Sequence, residues 1–407
     1  MKIGIYGGTF NPPHLGHMAS AREAMAALEL DKLFFIPAAL PPHKDLPTGS
    51  ADAPARLDMA ALMADGLAVS LGRPDDVAIL DIELRRAGKS YTSDTLDELC
   101  AAYPQDEFWL LMGSDMFLSI ESWHEPERIM SLAGIAAFAR EKEGGMDALS
   151  AQAAHLRETW GAKVALVDLS QITEVSSTQL RFELAAGGGG AQLWSQVYGY
   201  ILRNRLYGVG QDLCSLSDED LRAASYSMIR AKRIKHIQGT ERAAVALAER
   251  WGADVTKARR AAILHDCTKY LGAEEQMAIC RQYGERLDDL ERTEPKLLHA
   301  KTGAWIAREH FGVDDEIFHA IYWHTTGKAN MTLLEKVIYL ADYTEPGRSF
   351  PGVEQLRALA KTDLDAALLL GFEMSIREME ERMLLLHPQT VQARDWLLRQ
   401  RAGTAHT

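Results

Sequence analysis

The alternation of apolar and polar positions changes character half-way along the chain. In the first half, short apolar runs recur at Lys2–Tyr6, Lys32–Ile36, Val77–Ile82, Glu107–Met112, Ile135–Phe138 and Val164–Asp168. Between many of them lie stretches with helical apolar spacing, such as Gly16–Leu30. Strand and helix in alternation predict βαβ units and an α/β Rossmann-like domain, a parallel sheet with helices on both faces. The pattern closes on an amphipathic helix expected over Trp194–Tyr207, after the glycine run Gly187–Gly190. From Ser217 the strand-like runs give way to longer helical periods. These are Asp218–Ala231, Thr240–Trp251, Val255–Tyr270, Ala273–Tyr283, Leu297–Phe311, Asp315–His324, Leu333–Tyr343 and, with breaks, Val353–Leu385. An all-α helical bundle is expected there. The boundary falls near Gly208–Leu216, giving domains over 1–208 and 217–407.

Size supports two domains, because 407 residues exceed what one hydrophobic core usually serves. Charge narrows the chemistry. With 44 Lys and Arg against 57 Asp and Glu, the net charge is −13, which repels a nucleic-acid backbone. Any phosphate bound must be held by specific loops and metal ions. Cys100, Cys214, Cys267 and Cys280 are scattered without a CxxC pair, as in reduced cytoplasmic proteins. No apolar run approaches the ~20 residues of a membrane helix, and no leader-like segment opens the chain. A soluble, cytoplasmic protein with no membrane partner is expected.

The first candidate site follows the first strand: Gly7-Gly8-Thr9-Phe10-Asn11-Pro12-Pro13-His14-Leu15-Gly16-His17. Glycines let backbone N–H groups approach a phosphate, and the following helix offers its positive N-terminal end. His14 and His17, three apart, can share one side of the first turn and stabilise charge on a leaving group. A second helix start, Val175-Ser176-Ser177-Thr178-Gln179-Leu180-Arg181, offers hydroxyl caps and an arginine about one turn in. Gly88-Lys89-Ser90 is no phosphate loop of the Walker type, since Glu83 stands where its first glycine belongs.

Together the HxGH turn and the SST…R cap resemble the nucleotidylyltransferase superfamily. Pro41-Pro42-His43-Lys44, Ser90-Tyr91-Thr92-Ser93-Asp94-Thr95-Leu96, Gly113-Ser114-Asp115 and Ser122-Trp123-His124 narrow the resemblance to bacterial nicotinate-nucleotide adenylyltransferases, from Met1 to about Tyr207. That resemblance implies transfer of AMP from Mg²⁺-bound ATP to nicotinate mononucleotide, giving nicotinate adenine dinucleotide and pyrophosphate. Gly7, Gly8, Thr9, Phe10, His14, His17, Ser177, Thr178 and Arg181 would bind ATP, with His14, His17 and Arg181 acting in catalysis. Lys44, Thr92, Asp115 and Trp123 would bind the acceptor nucleotide, Trp123 by stacking on the pyridine ring. Arg140 is a weaker candidate.

In the second half, His265-Asp266 sits in an Ala/Ile/Leu context, with His236 upstream and His299, His324 and Asp342 downstream. Each is expected within, or at the end of, a different helix. A buried unpaired carboxylate is costly, and a cation removes that cost. Imidazole and carboxylate ligands without thiolate suit iron, manganese, cobalt, nickel or zinc. Six ligands exceed one ion's needs, so two ions bridged by Asp266 account for the set. Cys267 is expected to point away.

The ordered set, with KHIQGTERAAVALA, ILHDCTK, YWHTTG and YLADYTEPGR, resembles the HD phosphohydrolases of the symmetrical diadenosine-tetraphosphate hydrolase type, over about Ser217 to Leu385. The resemblance implies hydrolysis of the dinucleotide to two ADP, with Asp266 catalytic and two transition-metal ions, iron foremost. His236, His265, Asp266 and Asp342 would hold one ion, and Asp266, His299 and His324 the other. Lys269 and Arg348 would hold polyphosphate. The expected partners are therefore small nucleotides: ATP, nicotinate mononucleotide and diadenosine tetraphosphate. Self-association is compatible with this reading. The competing expectations are a nucleotide-sensing HD domain without catalysis and a different acceptor, such as phosphopantetheine, for the transferase.

Overall fold

Six parallel strands form one sheet in the order β3-β2-β1-β4-β5-β6: β1 (Lys2–Gly8), β2 (Lys32–Pro37), β3 (Val77–Ile79), β4 (Glu107–Gly113), β5 (Ala133–Ala139) and β6 (Val164–Asp168). They are seen in a computed structural model that describes residues 1–39, 46–86, 88–139, 145–169 and 175–404. Residues alternate between two cores. Tyr6, Phe35, Leu111 and Phe138 pack on one face, while Ile5, Phe34, Leu110 and Ile135 pack on the other. Every residue of β5 is buried, as a sheet covered on both sides requires. The strand order reverses between β1 and β4, so their carboxyl ends open a crevice at the switch point. The glycines closing β1 and the Gly113-Ser114-Asp115 turn after β4 both belong to that edge.

Differences from the sequence reading are local. The run at Val77 is strand only to Ile79, and Ile82–Arg85 is a single helical turn. The closing helix is Ser195–Asn204, after which Arg205 and Tyr207 turn the chain with positive φ. The chain divides into two units, Met1–Gly210 and Gln211–Thr407.

The second unit is all-helical among its described residues, around one core. Helix Ala231–Trp251 begins well before the expected Thr240, because its polar first turns present His236 inward rather than an apolar stripe. Helix Val255–Leu264 is shorter than expected and stops at His265. From there Cys267 N–H bonds to Leu264 O and Lys269 N–H to Asp266 O, turns of three residues that swing His265 and Asp266 off the helix. Helix Asp315–Tyr322 likewise ends before His324. Helices Leu298–Phe311 and Leu333–Thr344 carry His299 and Asp342, and Leu364–Glu381 packs outside the latter. The sequence reading did not anticipate the last helix, Pro388–Thr404. No helix of the described residues is long and apolar enough to cross a membrane.

Candidate active sites

At the end of β1 the chain turns through Phe10, which takes a left-handed φ of 48° and buries its ring against Tyr6, Phe35 and His17. Phe10 therefore offers a ligand only its backbone. His14 caps helix Leu15–Ala27, and its ring lies 3.8 Å from that of His17, centroid to centroid. The His14 amide donates to Nδ1 of His17 at 3.2 Å. That acceptor role leaves the proton of a neutral His17 on Nε2. Gly16 permits the arrangement, since a Cβ there would stand 3.0 Å from the His14 ring.

The loop is fastened from three sides. Arg56, wholly buried, donates to the carbonyls of Thr9 at 2.8 Å, Ala38 at 2.6 Å and Ala39 at 2.9 Å. The Asn11 side chain accepts from Tyr207 Oη at 2.8 Å and donates to Ser50 Oγ at 2.7 Å. Arg181 Nη1 donates to Asn11 O at 2.8 Å, and its Nη2 to Thr178 Oγ1 at 3.2 Å. Ser177 Oγ reaches Pro12 O at 3.4 Å. Helix Ser177–Ala185, capped by Ser176 rather than Ser177, thus brings its N-terminus and Arg181 to the histidine loop. The sequence reading missed Arg56, Asn11 and Tyr207; only the string around Asn11 drew notice.

Of the acceptor-site residues, Thr92 opens helix Thr92–Ala102 and Asp115 is exposed just beyond β4. Tyr91 packs against His124 with ring centroids 4.3 Å apart and planes tilted by 35°, which ties the Thr92 turn to the segment carrying half-buried Trp123. Lys44 and Arg140 lie outside the described residues. Beneath the Thr92 turn, Glu83 accepts from Thr95 at 3.2 Å near Arg86. Burial pushes the Glu83 carboxyl up to about 7, against that hydrogen bond and the Arg86 charge.

In the second unit all six expected residues converge. The two oxygens of Asp266 face different ways. Oδ2 looks to His265 Nε2 at 3.5 Å and His236 Nε2 at 3.8 Å, while Oδ1 looks to His299 Nε2 at 3.3 Å and His324 Nε2 at 3.8 Å. Asp342 Oδ1 is 3.1 Å from His236 Nε2. Each imidazole is held through its other nitrogen. Nδ1 of His265, His299 and His324 donates to the carbonyls of Ala262, Lys296 and Ile321 at 2.7, 2.6 and 2.7 Å. Nδ1 of His236 meets Glu345 Oε1 at 3.2 Å. With the protons on Nδ1, each Nε2 presents a lone pair toward the Asp266 carboxylate or another imidazole, Lys269 Nζ being the charged donor at His299, and Asp266 Oδ1 is buried without a hydrogen bond. A set of acceptors facing one another fits a cation. Asp266 and its neighbours His265 and His324 form one group close enough to share an ion, and His236, His265 and Asp342 another.

Electrostatics agree. Burial, outweighing the Asp266 charge, lowers His265 to about 3, and burial lowers His299 as well, so both rings are neutral. Burial opposes ionisation of Asp342, yet its contact with His236 and the adjacent Arg348 charge hold its carboxyl well below the usual range. Cations stand at the rim. Lys269 Nζ is 2.9 Å from His299 Nε2, Arg348 Nη2 is 2.6 Å from Asp342 Oδ1, and Arg233 Nε is 2.7 Å from Asp266 Oδ2. Cys267 turns its Sγ toward Gly303 O instead. Sequence reasoning missed Arg233, Glu345 and Gly239, where a Cβ would collide with the Glu345 carboxylate. The ADYxEP string contained Glu345, but its role depends on a contact 109 positions away.

A third group, Asp288, Glu291 and His387, differs in kind. There Lys301 already pairs with Glu291 at 2.6 Å, and His387 Nδ1 accepts from Gln389 N, leaving the Nε2 proton to face Asp288 at 3.4 Å. That is an ion-paired staple.

Comparison with known proteins matches residues 5–183 to the cytidylyltransferase-like family and residues 233–347 to the HD domain. A symmetrical bis(5'-nucleosyl)-tetraphosphatase of Bacillus subtilis is 39% identical over 45% of this chain and 98% of its own length. A protein of Exiguobacterium sibiricum named "probable nicotinate-nucleotide adenylyltransferase" is 38% identical over 46% of this chain and 88% of its own. Among solved structures, an HD-superfamily hydrolase of Clostridium acetobutylicum described as involved in NAD metabolism is 39% identical, with 46% of this chain and 98% of that one covered, at a TM-score of 0.44. The class is thus a nucleotidylyltransferase fold joined to an HD domain. The chain belongs to the nicotinate-nucleotide adenylyltransferase family by its first half and to the HD family of the symmetrical tetraphosphatases by its second.

Proposed function

We propose that the chain is a bifunctional enzyme. Its first unit transfers AMP from ATP to nicotinate mononucleotide, releasing pyrophosphate. Its second unit hydrolyses diadenosine tetraphosphate to two ADP.

In the first reaction the acceptor phosphate is already an anion, so positioning and charge neutralisation suffice without a strong base. Mg²⁺ bound with ATP would offset the charge of the triphosphate. The Gly7–Gly8 backbone and the N-terminus of helix Leu15–Ala27 face the triphosphate. His17 donates from Nε2 to the departing pyrophosphate, and His14 stands beside it. Arg181, held over the loop through Asn11 O, adds a fixed cation. Thr92, Asp115, Trp123 and Lys44 are assigned to the acceptor nucleotide by resemblance.

The observation that carries the second reaction is the ring of Nε2 lone pairs around the two-faced Asp266 carboxylate. Two divalent transition-metal ions held by His236, His265, Asp266, His299, His324 and Asp342 would neutralise phosphate and activate water there. Asp266 would be shared between the two ions, Asp342 and the imidazoles would complete their ligand sets, and Glu345 fixes the His236 ring. Lys269, Arg348 and Arg233 bind the polyphosphate at the rim.

The test uses anaerobically prepared protein loaded with Fe²⁺ or Mn²⁺, given diadenosine tetraphosphate, with products separated by anion exchange. ADP alone, lost in His265→Ala together with bound metal by elemental analysis, is expected. ATP plus AMP would overturn the symmetry of cleavage. No turnover with any transition metal would favour the nucleotide-sensing role.

A further inference from the structure

A cavity of about 600 Å³ adjoins the imidazole–carboxylate centre, with Tyr343, Arg348, Phe350, Met374, Arg377 and Glu378 in its walls. Of its walls, only Arg348 has a part in the reactions described above. Three neighbouring pieces of chain build it: helix Leu333–Thr344, the loop 345–352 and helix Leu364–Glu381. Asp342 and Tyr343 are consecutive in the first of these, about 100° apart around the axis. One faces the histidines and the other the cavity. The loop makes the same connection. Its Glu345 holds His236, its Arg348 holds Asp342, and its Phe350 sets an edge on Tyr343 at 5.5 Å and 73°. Tyr343 is itself backed by Tyr339, nearly parallel at 5.9 Å.

The lining is a particular mixture. Two aromatic rings and a thioether form an apolar wall, two guanidiniums stand at Arg348 and Arg377, and Glu378 and Glu381 supply acceptors. The volume lies within the usual range for small-molecule sites. A purine or pyrimidine face matches the rings whatever its identity, because every base has a π-face. Carboxylates accept from ribose hydroxyls, and guanidiniums take phosphate oxygens. Arg348 is the shared wall: it lines the cavity while lying 2.6 Å from Asp342 Oδ1.

We propose that this cavity seats one nucleoside of a nucleoside-polyphosphate substrate, with its base against Tyr343 and Phe350 and its phosphates led past Arg348 to the histidine–aspartate centre. The proposal rests on the phosphohydrolase reading of the second unit and names the part of the substrate that unit recognises. The class of ligand is a nucleotide rather than inorganic polyphosphate.

Photolabelling of the full Mn²⁺-loaded chain with 2-azido-ADP, followed by peptide mapping, tests it. The first unit, which handles ATP, serves as an internal positive control. Label is expected also on peptides bearing Tyr343, Phe350 or Met374, displaced by excess diadenosine tetraphosphate. Phe350→Ala should lose that label and keep the first-unit label. Its KM for diadenosine tetraphosphate should rise about tenfold with kcat within about twofold, the scale of one lost base–aromatic contact. Should Phe350→Ala fail to fold, Arg377→Ala, exposed at the rim, should lower cavity labelling severalfold at unchanged Tm. Label confined to the first unit overturns the proposal, whether or not the dinucleotide is cleaved. Cavity label without ADP release overturns the hydrolase reading and leaves the nucleoside seat standing.

Discussion

Single side chains in this protein matter most where they tie down something else. Arg56 is the clearest case: a buried guanidinium whose three bonds go to backbone carbonyls of the histidine loop and the end of β2. Arg56→Met would strand those carbonyls, at a cost of about 3 kcal/mol for an uncompensated buried network. Chemical denaturation should register that loss in the first unit. Transferase activity should fall even in the folded fraction, because the loop slackens. Such a residue was invisible in the sequence. An arginine inside an Ala/Leu/Met helix reads as a solvated charge until the distant carbonyls are placed around it. The metal-competent residues were legible for the opposite reason. Histidine and aspartate side by side in an apolar context already imply an unmet electrostatic demand. What sequence could not supply was the choice of nitrogen, which depends on the carbonyls three residues back in the turned chain.

At the level of the element, helix ends do the positioning. His265, Asp266 and His324 leave their helices, and only from turns do their side chains converge. The helical periodicity of ILHDCTKY hid this, because apolar spacing continues past the point where the backbone stops following it. The same burial has a consequence for pH. His265 is lowered from its ordinary value of 6.5 to about 3. The unfolded chain therefore binds a proton that the folded one refuses over that interval. The stability linked to this proton is full above about 6.5 and is lost as pH falls toward 3. Thermal melts of metal-free protein at stepped pH should show the transition of the second unit dropping across that window. In His265→Gln it should drop less. Glu83 has the opposite sign. Its raised carboxyl makes the folded first unit most favoured below about 4.5, with the advantage lost as pH rises through about 7. Glu83→Gln should remove that slope in the melts of the first unit.

For the molecule as a whole, two units with separate cores carry two separate candidate sites. Fold class was readable because short strand-like runs alternate with helical spacing in the first half, while helical spacing alone continues through the second. The doubly wound order β3-β2-β1-β4-β5-β6 was not, since nothing local says which strands are neighbours. The separation makes a double dissociation the expected result. His17→Ala should lower pyrophosphate release from ATP and nicotinate mononucleotide by about 10²–10³-fold, the usual effect of losing one transition-state donor, with dinucleotide hydrolysis unchanged. His265→Ala should do the reverse. Assaying both reactions on each variant checks it.

The Tyr207–Asn11 bond bears on how such a chain can be assembled. Tyr207 lies just before the first unit ends at Gly210, and Asn11 lies just after its first strand, so the exit of the polypeptide is knotted to its entrance. The seam between the two units is therefore no neutral splice. A fusion or proteolytic cut placed upstream of Tyr207 would spare the phosphate-facing side chains and still untie the loop that carries them. Anything grafted behind the first unit has to begin after that tyrosine, as the second unit does.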